Sequence, residues 1–346
     1  MKPGPLIRVL VVDDSAFVRK VVREMLSHNP YLDVVGVARD GEEALELVAE
    51  LKPDVVTCDL AMPGIDGVEF VRRQMALRPL PILVLTASPQ DGEQAMQALS
   101  AGAIDLVQKP TSLASDELLG IREILVEKVK AAARVPLDVL RRETLPAAQA
   151  VLALRPAKFA AVVIGISTGG PQALRQLLPQ FPADFPVPIA MVLHMPVGFT
   201  ALFAEKLNEL CALEVREARD GDVLRPGVAL LAQAGRHLQF RRLANGTVVT
   251  RLTMQPLEKI HRPSADVLFR SAAKIFGGRL LAVVMTGMGE DGREGAAWVK
   301  AQGGTVLTET EASCIIYGMP RSVVEAGLSD AAYSLSNMAQ AIVERI

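Results

Sequence analysis

The chain holds few cysteines. Cys58, Cys211 and Cys314 stand far apart among 346 residues, and none belongs to a C-x-x-C pair. That spacing excludes a disulfide framework and a cysteine-bound zinc site. Long apolar runs are absent too. None reaches the roughly 18 to 20 residues that a membrane span needs, so no membrane insertion is expected. The opening MKPGPLIRVLVV lacks the charged leader, long apolar stretch and cleavage site of a signal peptide. A cytoplasmic location follows as the expectation. Charge of one sign is also missing, with 37 Lys and Arg against 39 Asp and Glu. Nothing in that balance calls for nucleic acid as a partner. No solenoid-type repeat and no low-complexity tract occurs.

What remains is a chain that is 50% hydrophobic, long enough for two cores. Up to about residue 130, β-branched runs alternate with amphipathic stretches. The runs cover 7–12, 33–38, 54–59, 81–86 and 104–109, and helical patterns fall near 15–28, 41–51, 66–78, 91–101 and 116–130. Five strands each followed by a helix predict a doubly wound parallel sheet. The runs are nearly continuous in apolar residues, as strands covered on both faces should be. Residues 131–157 carry Pro136, Pro146 and Pro156 with weak periodicity, which reads as a linker. A second α/β pattern occupies 158–346, with strand-like runs at 160–166, 188–194, 227–232, 280–286 and 304–308. A hairpin interrupts it, turning at Asn245-Gly246. The predicted fold class is therefore α/β: a flavodoxin-like (βα)5 domain over 1–130, then a doubly wound, mostly parallel α/β domain with a β-hairpin. Residues 1–130 hold 14 basic against 20 acidic residues and residues 131–346 hold 23 against 19; opposite signs would favour docking of one half on the other, and ordinary scatter of charge along a chain gives the same imbalance.

In an open parallel sheet, ligands sit outside the carboxyl ends of the strands. Those ends carry Asp13 and Asp14 just after the first run, Asp59 at the end of the third, Thr86 at the end of the fourth and Lys109 at the end of the fifth. Three carboxylates at one sheet edge repel one another and need a cation. A hard divalent ion such as Mg²⁺ takes oxygen ligands and keeps waters free for phosphate oxygens. Asp59 can then act as a carboxylate nucleophile toward a phosphoryl group, with Lys109 neutralising the transferred charge. Thr86 can hydrogen-bond the new oxygens. Taken singly, Asp and Thr at strand ends more often cap turns; their joint placement on four strand ends points to phosphoryl chemistry.

The segments VVDDSAFVRK, DLAMPGIDG, LTAS and Lys109-Pro110 make residues 6–130 resemble a response-regulator receiver domain. The resemblance implies Asp59 as phosphoacceptor, Asp13, Asp14 and Asp59 as the Mg²⁺ acids, Lys109 as the ion-pairing lysine and Thr86 as the switch hydroxyl. It also implies a histidine kinase of the CheA type as phosphodonor. Leu106 stands where many receivers carry a switch aromatic, and Ala61 where they often carry Glu.

In the second half, the run AAVVIGI leads into Gly165-Ile166-Ser167-Thr168-Gly169-Gly170-Pro171 and then a helical pattern. G-x-S-x-G fits a nucleophile on a tight strand-to-helix turn. A serine hydroxyl needs a base, and the base an orienting acid. Of the four histidines, His28 lies near a helix end in the first half. His237 falls inside a short strand and His261 in a loop. His194 alone ends a strongly apolar run, PIAMVLH, and Asp291 follows another within TGMGEDG. Ser167, His194 and Asp291 thus come from strand ends that share one edge of a parallel sheet. The order Ser…His…Asp differs from that of α/β-hydrolases. The Gly-rich loop lacks both G-x-G-x-x-G and G-K-[ST], which argues against a nucleotide site.

VIGISTGGP, HMPVGFT, IHRPSADVLFRSAA, VVMTGMGEDGREG and EASCIIYGMPRSVVEAG resemble the CheB family of chemotaxis protein-glutamate methylesterases. That resemblance spans about residues 160–330. It implies Ser167 as nucleophile, His194 as base, Asp291 as its orienting acid and the Met288 backbone N–H as an oxyanion donor. The implied activity is hydrolysis of γ-glutamyl methyl esters on methyl-accepting chemotaxis receptors, releasing methanol, with deamidation of glutamines besides. It implies a monomer regulated by phosphorylation, needing no cofactor for ester hydrolysis. Ile166 and Leu193 depart from the family's usual Ala and Gln.

Overall fold

The computed structural model describes residues 6–109, 115–136, 158–259 and 261–346. They fall into two compact units, Met1–Arg142 and Glu143–Ile346. Of the linker expected over 131–157, residues 137–157 lie outside the described ones, as does Pro110; residues 131 and 132 are the last of a helix.

The first unit is a five-stranded parallel sheet. Strands β1 (Ile7–Val12), β2 (Leu32–Ala38), β3 (Val55–Asp59), β4 (Ile82–Thr86) and β5 (Asp105–Gln108) lie in the order β2-β1-β3-β4-β5. All neighbours pair in parallel, as the crossover helices α1 (Ala16–Ser27), α2 (Gly41–Leu51), α3 (Gly67–Leu77) and α4 (Gly92–Ser100) require; α5 (Ser115–Ala132) follows the last strand. Every residue of β3 and β4 is buried, which explains the unbroken apolar runs. The strand-to-helix turns start their helices with oxygen caps. Ser15, Asp40 and Asp66 accept hydrogen bonds from the N–H groups of Val18, Glu43 and Glu69, each cap contributing about 1 kcal/mol. Helix α1 faces the sheet with Val22, Met25 and Leu26, one stripe at helical spacing.

The second unit has a seven-stranded sheet in the order β14-β13-β12-β6-β7-β9-β8. Its members are β6 (Ala161–Ile166), β7 (Ile189–Leu193), β8 (Glu214–Glu217), β9 (Val228–Leu231), β12 (Leu280–Val284), β13 (Thr305–Glu309) and β14 (Ala331–Tyr333). All of its pairs are parallel. The hairpin β10 (His237–Arg242) and β11 (Val248–Thr253) forms a separate antiparallel pair. Helices α6 (Gly170–Leu177), α7 (Thr200–Asn208), α8 (Ala265–Phe276), α9 (Arg293–Ala301), α10 (Met319–Glu325) and α11 (Leu335–Val343) complete the unit. The chain leaves β6 toward β7, β9 and β8, then returns to its other side with β12. That reversal is a topological switch point, where the strand ends part and leave room for a site. A core of Val163, Val192, Leu230, Leu268, Phe269 and Val284, all buried, clamps the middle strands against α8.

Candidate functional site

Ser167 follows β6 directly, and three residues later α6 begins. The turn is held from both sides. Ser167 N–H donates to the Thr286 carbonyl at 2.9 Å, and Gly170 N–H donates to the Ser167 carbonyl at 2.7 Å. Gly169 has φ of +80°, and a Cβ there would lie 2.6 Å from Ile315; a side chain is excluded twice over. On the loop after β12, the Gly287 backbone comes so close that a Cβ would stand 2.7 Å from Ser167 Cβ. Ile166 and Leu193, the two departures from family usage, are buried. Their side chains close on Gly170, where a Cβ would meet Leu193 at 2.6 Å.

His194 follows β7 directly and is 9% exposed. Its Nδ1 lies 3.1 Å from Ser167 Oγ and its Nε2 lies 2.8 Å from Asp291 Oδ2. Asp291 accepts three further hydrogen bonds: Ser264 Oγ at 2.7 Å and Asp266 N–H at 3.0 Å on Oδ1, and Ala265 N–H at 2.7 Å on Oδ2. Four donors fill the lone pairs of one carboxylate. Two of them are the first N–H groups of α8, so the helix dipole adds to the binding of negative charge. Burial works against that charge, but His194 and the other donors outweigh it and hold the Asp291 carboxyl well below the usual carboxylate range. An ionised Asp291 can only accept. His194 Nε2 therefore carries the ring proton, and the Nδ1 lone pair accepts from the Ser167 hydroxyl.

Met288 is half-buried on the loop after β12. Its N–H and that of Thr168, the residue after Ser167, make no hydrogen bond among the described residues. Gly287 N–H donates to the Ile316 carbonyl instead. The remaining histidines are His28, His237 and His261. His28 Nδ1 donates to the Glu24 carbonyl at the end of α1. His237 is buried with Nε2 on the Pro256 carbonyl at 3.0 Å, and burial lowers its pKa. His261 lies with its ring against that of His194.

Several supporting residues escaped the sequence reading. Ser264 and Ala265 were visible only as part of a helix start. Asp266 Oδ1 accepts from Gly292 and Gly295 N–H at 2.9 and 2.7 Å, fixing the loop that carries Asp291. Lys259 Nζ reaches Asp266 Oδ2 at 2.9 Å. Glu309, at the end of β13 and fully buried, accepts from Thr286 N–H and Ser313 Oγ, both at 2.9 Å. Burial raises its pKa despite those bonds. Thr286 Oγ1 in turn donates to the Thr168 carbonyl at 3.0 Å. The Thr286 bonds to Glu309 and Thr168 join residues 23 and 118 positions apart, which no local motif encodes.

In the first unit, one ligand oxygen from each of Asp13, Asp14 and Asp59 lies within 4.8 Å of the others, a spacing that suits a hard divalent ion. Lys109 Nζ sits 2.7 Å from Asp59 Oδ1 and 2.9 Å from Asp13 Oδ2. Burial disfavours the ammonium, but both carboxylates overcome this and raise its pKa. Burial also raises the Asp59 carboxyl, against the pull of Lys109. Thr86 is buried, and its hydroxyl faces Asp91 Oδ2 at 3.2 Å and the Ser88 carbonyl at 3.3 Å. Leu106 is fully buried and Ala61 exposed. Among the described residues, no helix is long and apolar enough to cross a membrane.

Known proteins share both units. Residues 162–342 match the CheB methylesterase family and residues 9–119 the response regulator receiver domain. The chain is 50% identical to protein-glutamate methylesterase/protein-glutamine glutaminase 5 of Myxococcus xanthus, over 96% of both chains. It is 43% identical to the protein-glutamate methylesterase/protein-glutamine glutaminase of Halalkalibacterium halodurans, over 98% of each. The crystal structure of the Thermotoga maritima CheB methylesterase catalytic domain aligns at a TM-score of 0.53 with 39% identity, covering 54% of this chain and 99% of that one. With a serine site at the switch point of one unit and an acidic pocket in the other, the chain belongs to the CheB methylesterase family, in the form that carries a response-regulator receiver domain.

Proposed function

We propose that the chain hydrolyses γ-glutamyl methyl esters on methyl-accepting chemotaxis receptors in the cytoplasm, deamidates glutamines there, and is regulated by phosphorylation of Asp59. The observation that carries the catalytic reading is the unbroken hydrogen-bond line from Ser167 through His194 to Asp291.

In the proposed reaction, Ser167 Oγ attacks the ester carbonyl and its proton passes to His194 Nδ1. Asp291 keeps the Nε2–H bond and stabilises the imidazolium. Negative charge on the carbonyl oxygen is met by the Met288 and Thr168 N–H groups. The C–O bond to the methoxy group then breaks, and His194 Nδ1 returns the proton, so methanol leaves and an acyl-serine remains. Water, giving a proton to Nδ1, attacks that acyl group; Ser167 takes the proton back and a glutamate carboxylate is released. With a glutamine side chain, ammonia leaves in place of methanol.

In the receiver, Asp59 is the proposed phosphoacceptor, and Asp13, Asp14 and Asp59 would hold Mg²⁺. When bound, Mg²⁺ would supply positive charge against the phosphoryl oxygens. Lys109, already paired with Asp13 and Asp59, offers a second cation. Thr86 would leave Asp91 to meet the new oxygens. The phosphodonor is a histidine kinase of the CheA type. The test is methanol release from methylated receptor membranes, with and without a small phosphodonor. Release should rise on phosphorylation, by roughly 5- to 150-fold for a coupling of ordinary size. No release under either condition overturns the reading.

A further inference from the structure

We infer that His261 is a positioning residue for the base, its ring holding the His194 imidazole in the plane that serves Ser167 and Asp291 together. The inference rests on the serine-hydrolase reading above.

The two rings are stacked, with centroids 4.1 Å apart and planes 15° apart. His194 is bonded at two edges, through Nδ1 and Nε2. Those bonds hold the ring within its plane and restrain rotation about Cβ–Cγ only as far as their angles allow, the torsion itself being broad for an aromatic ring. A flat partner on the ring face blocks that rotation. It also excludes water from one side of a residue that is already 9% exposed. During acyl transfer His194 becomes an imidazolium, and its ring must keep one plane while the proton is taken up and returned. The stack therefore acts on those proton transfers more than on substrate binding.

The backbone that follows His261 is tied down. Gly235 N–H donates to the Arg262 carbonyl at 2.9 Å. Three residues further on, Ser264, Ala265 and Asp266 grip Asp291. One stretch of chain, 261–266, thus orients the base by its face and the acid by its lone pairs.

The test uses the full chain with a small phosphodonor present and a soluble receptor fragment bearing methyl esters. Wild type, Ser167→Ala, His261→Ala, His261→Leu and His261→Phe are compared. Methanol release gives kcat and KM, and a fluorophosphonate probe gives the labelling rate of Ser167; melting temperature checks each fold. His261→Ala and His261→Leu should lower kcat about 10-fold, the scale of a lost aromatic pair, with KM within about twofold. His261→Phe should recover most of the loss, and labelling rates should follow kcat. Wild-type kcat in a folded Ala or Leu variant overturns the inference. So does a Phe variant as slow as Leu, or a loss confined to KM. Methanol release by Ser167→Ala would overturn the underlying reading instead, whatever the His261 variants do.

Discussion

His194 turns Nδ1 toward Ser167 Oγ, across 3.1 Å, and leaves Nε2 to the acid. The ring thus spans from nucleophile to acid by its two nitrogens in the order opposite to that of the chymotrypsin triad. Geometry, and not the identity of the nitrogen, defines the base. Replacement of Ser167 by Ala should remove nearly all methanol release, at least about 10³-fold, while stability moves by less than about 1 kcal/mol. His194→Ala should be comparably slow. The double variant should be hardly worse than either single, because the groups act as a unit. Steady-state rates and urea unfolding check the set; additive losses would count against a shared mechanism.

Asp291 answers to four donors, so its loss reaches beyond the base. Asp291→Asn sets an NH₂ group against donors and disfavours the tautomer that Ser167 needs. A fall in kcat of about 10³- to 10⁴-fold is expected. The folded carboxyl titrates below its unfolded value of about 3.9. Its contribution to stability is therefore present above about pH 4 and is lost as pH falls through the lower folded value. Urea unfolding across pH should show the wild-type advantage over Asp291→Asn at pH 7 and its narrowing below about pH 4.

Glu309 carries the opposite sign. Its folded pKa is raised by burial, so its stabilising term is present below about pH 4.3 and is lost as pH rises through the folded value. Glu309→Gln keeps an acceptor for Thr286 N–H and offers Ser313 a donor. Relative to wild type, it should gain stability as pH rises from 4 to 7. Glu309→Leu strands the Thr286 N–H in the core, while the Ser313 hydroxyl keeps the Thr310 carbonyl, and should cost about 2 kcal/mol. Because Thr286 leads into Met288, the Leu variant should also lose activity that the Gln variant keeps.

Phosphate labelling isolates the receiver. Acetyl phosphate should label the chain in a Mg²⁺-dependent way, and Asp59→Asn should abolish the label. Asp59→Ala tests relocation to Asp13 or Asp14. Label that persists unchanged in both variants would place the phosphoacceptor elsewhere.

Much of this was legible in the residues. The apolar runs located β1, β3, β4 and β5 to within a residue or so, because strands buried on both faces leave no ambiguity of period. The same sheet logic brought Ser167, His194 and the Asp291 loop to one edge. β8 and β14 were missed for a physical reason: Glu-Val-Arg-Glu is an edge strand with one side chain buried and the other three exposed or half-buried, and three residues of β14 carry too little pattern. Thr86 was read for its strand end alone; its bond to Asp91 lies in a turn whose shape the sequence does not announce. His261 was seen only as a loop residue, since stacking on His194 depends on the docking of α8 against β6.

The residues proposed for catalysis hang from β7, β6 and β12, the middle three strands of the seven. The outermost strands are the short and partly exposed β8 and β14. Opening in a sheet begins at such margins and reaches the interior last. In hydrogen exchange, amides of β6, β7 and β12 should be released only with global unfolding, well after those of β8 and β14. The sheet can therefore breathe at its rims while the groups proposed to react stay in register.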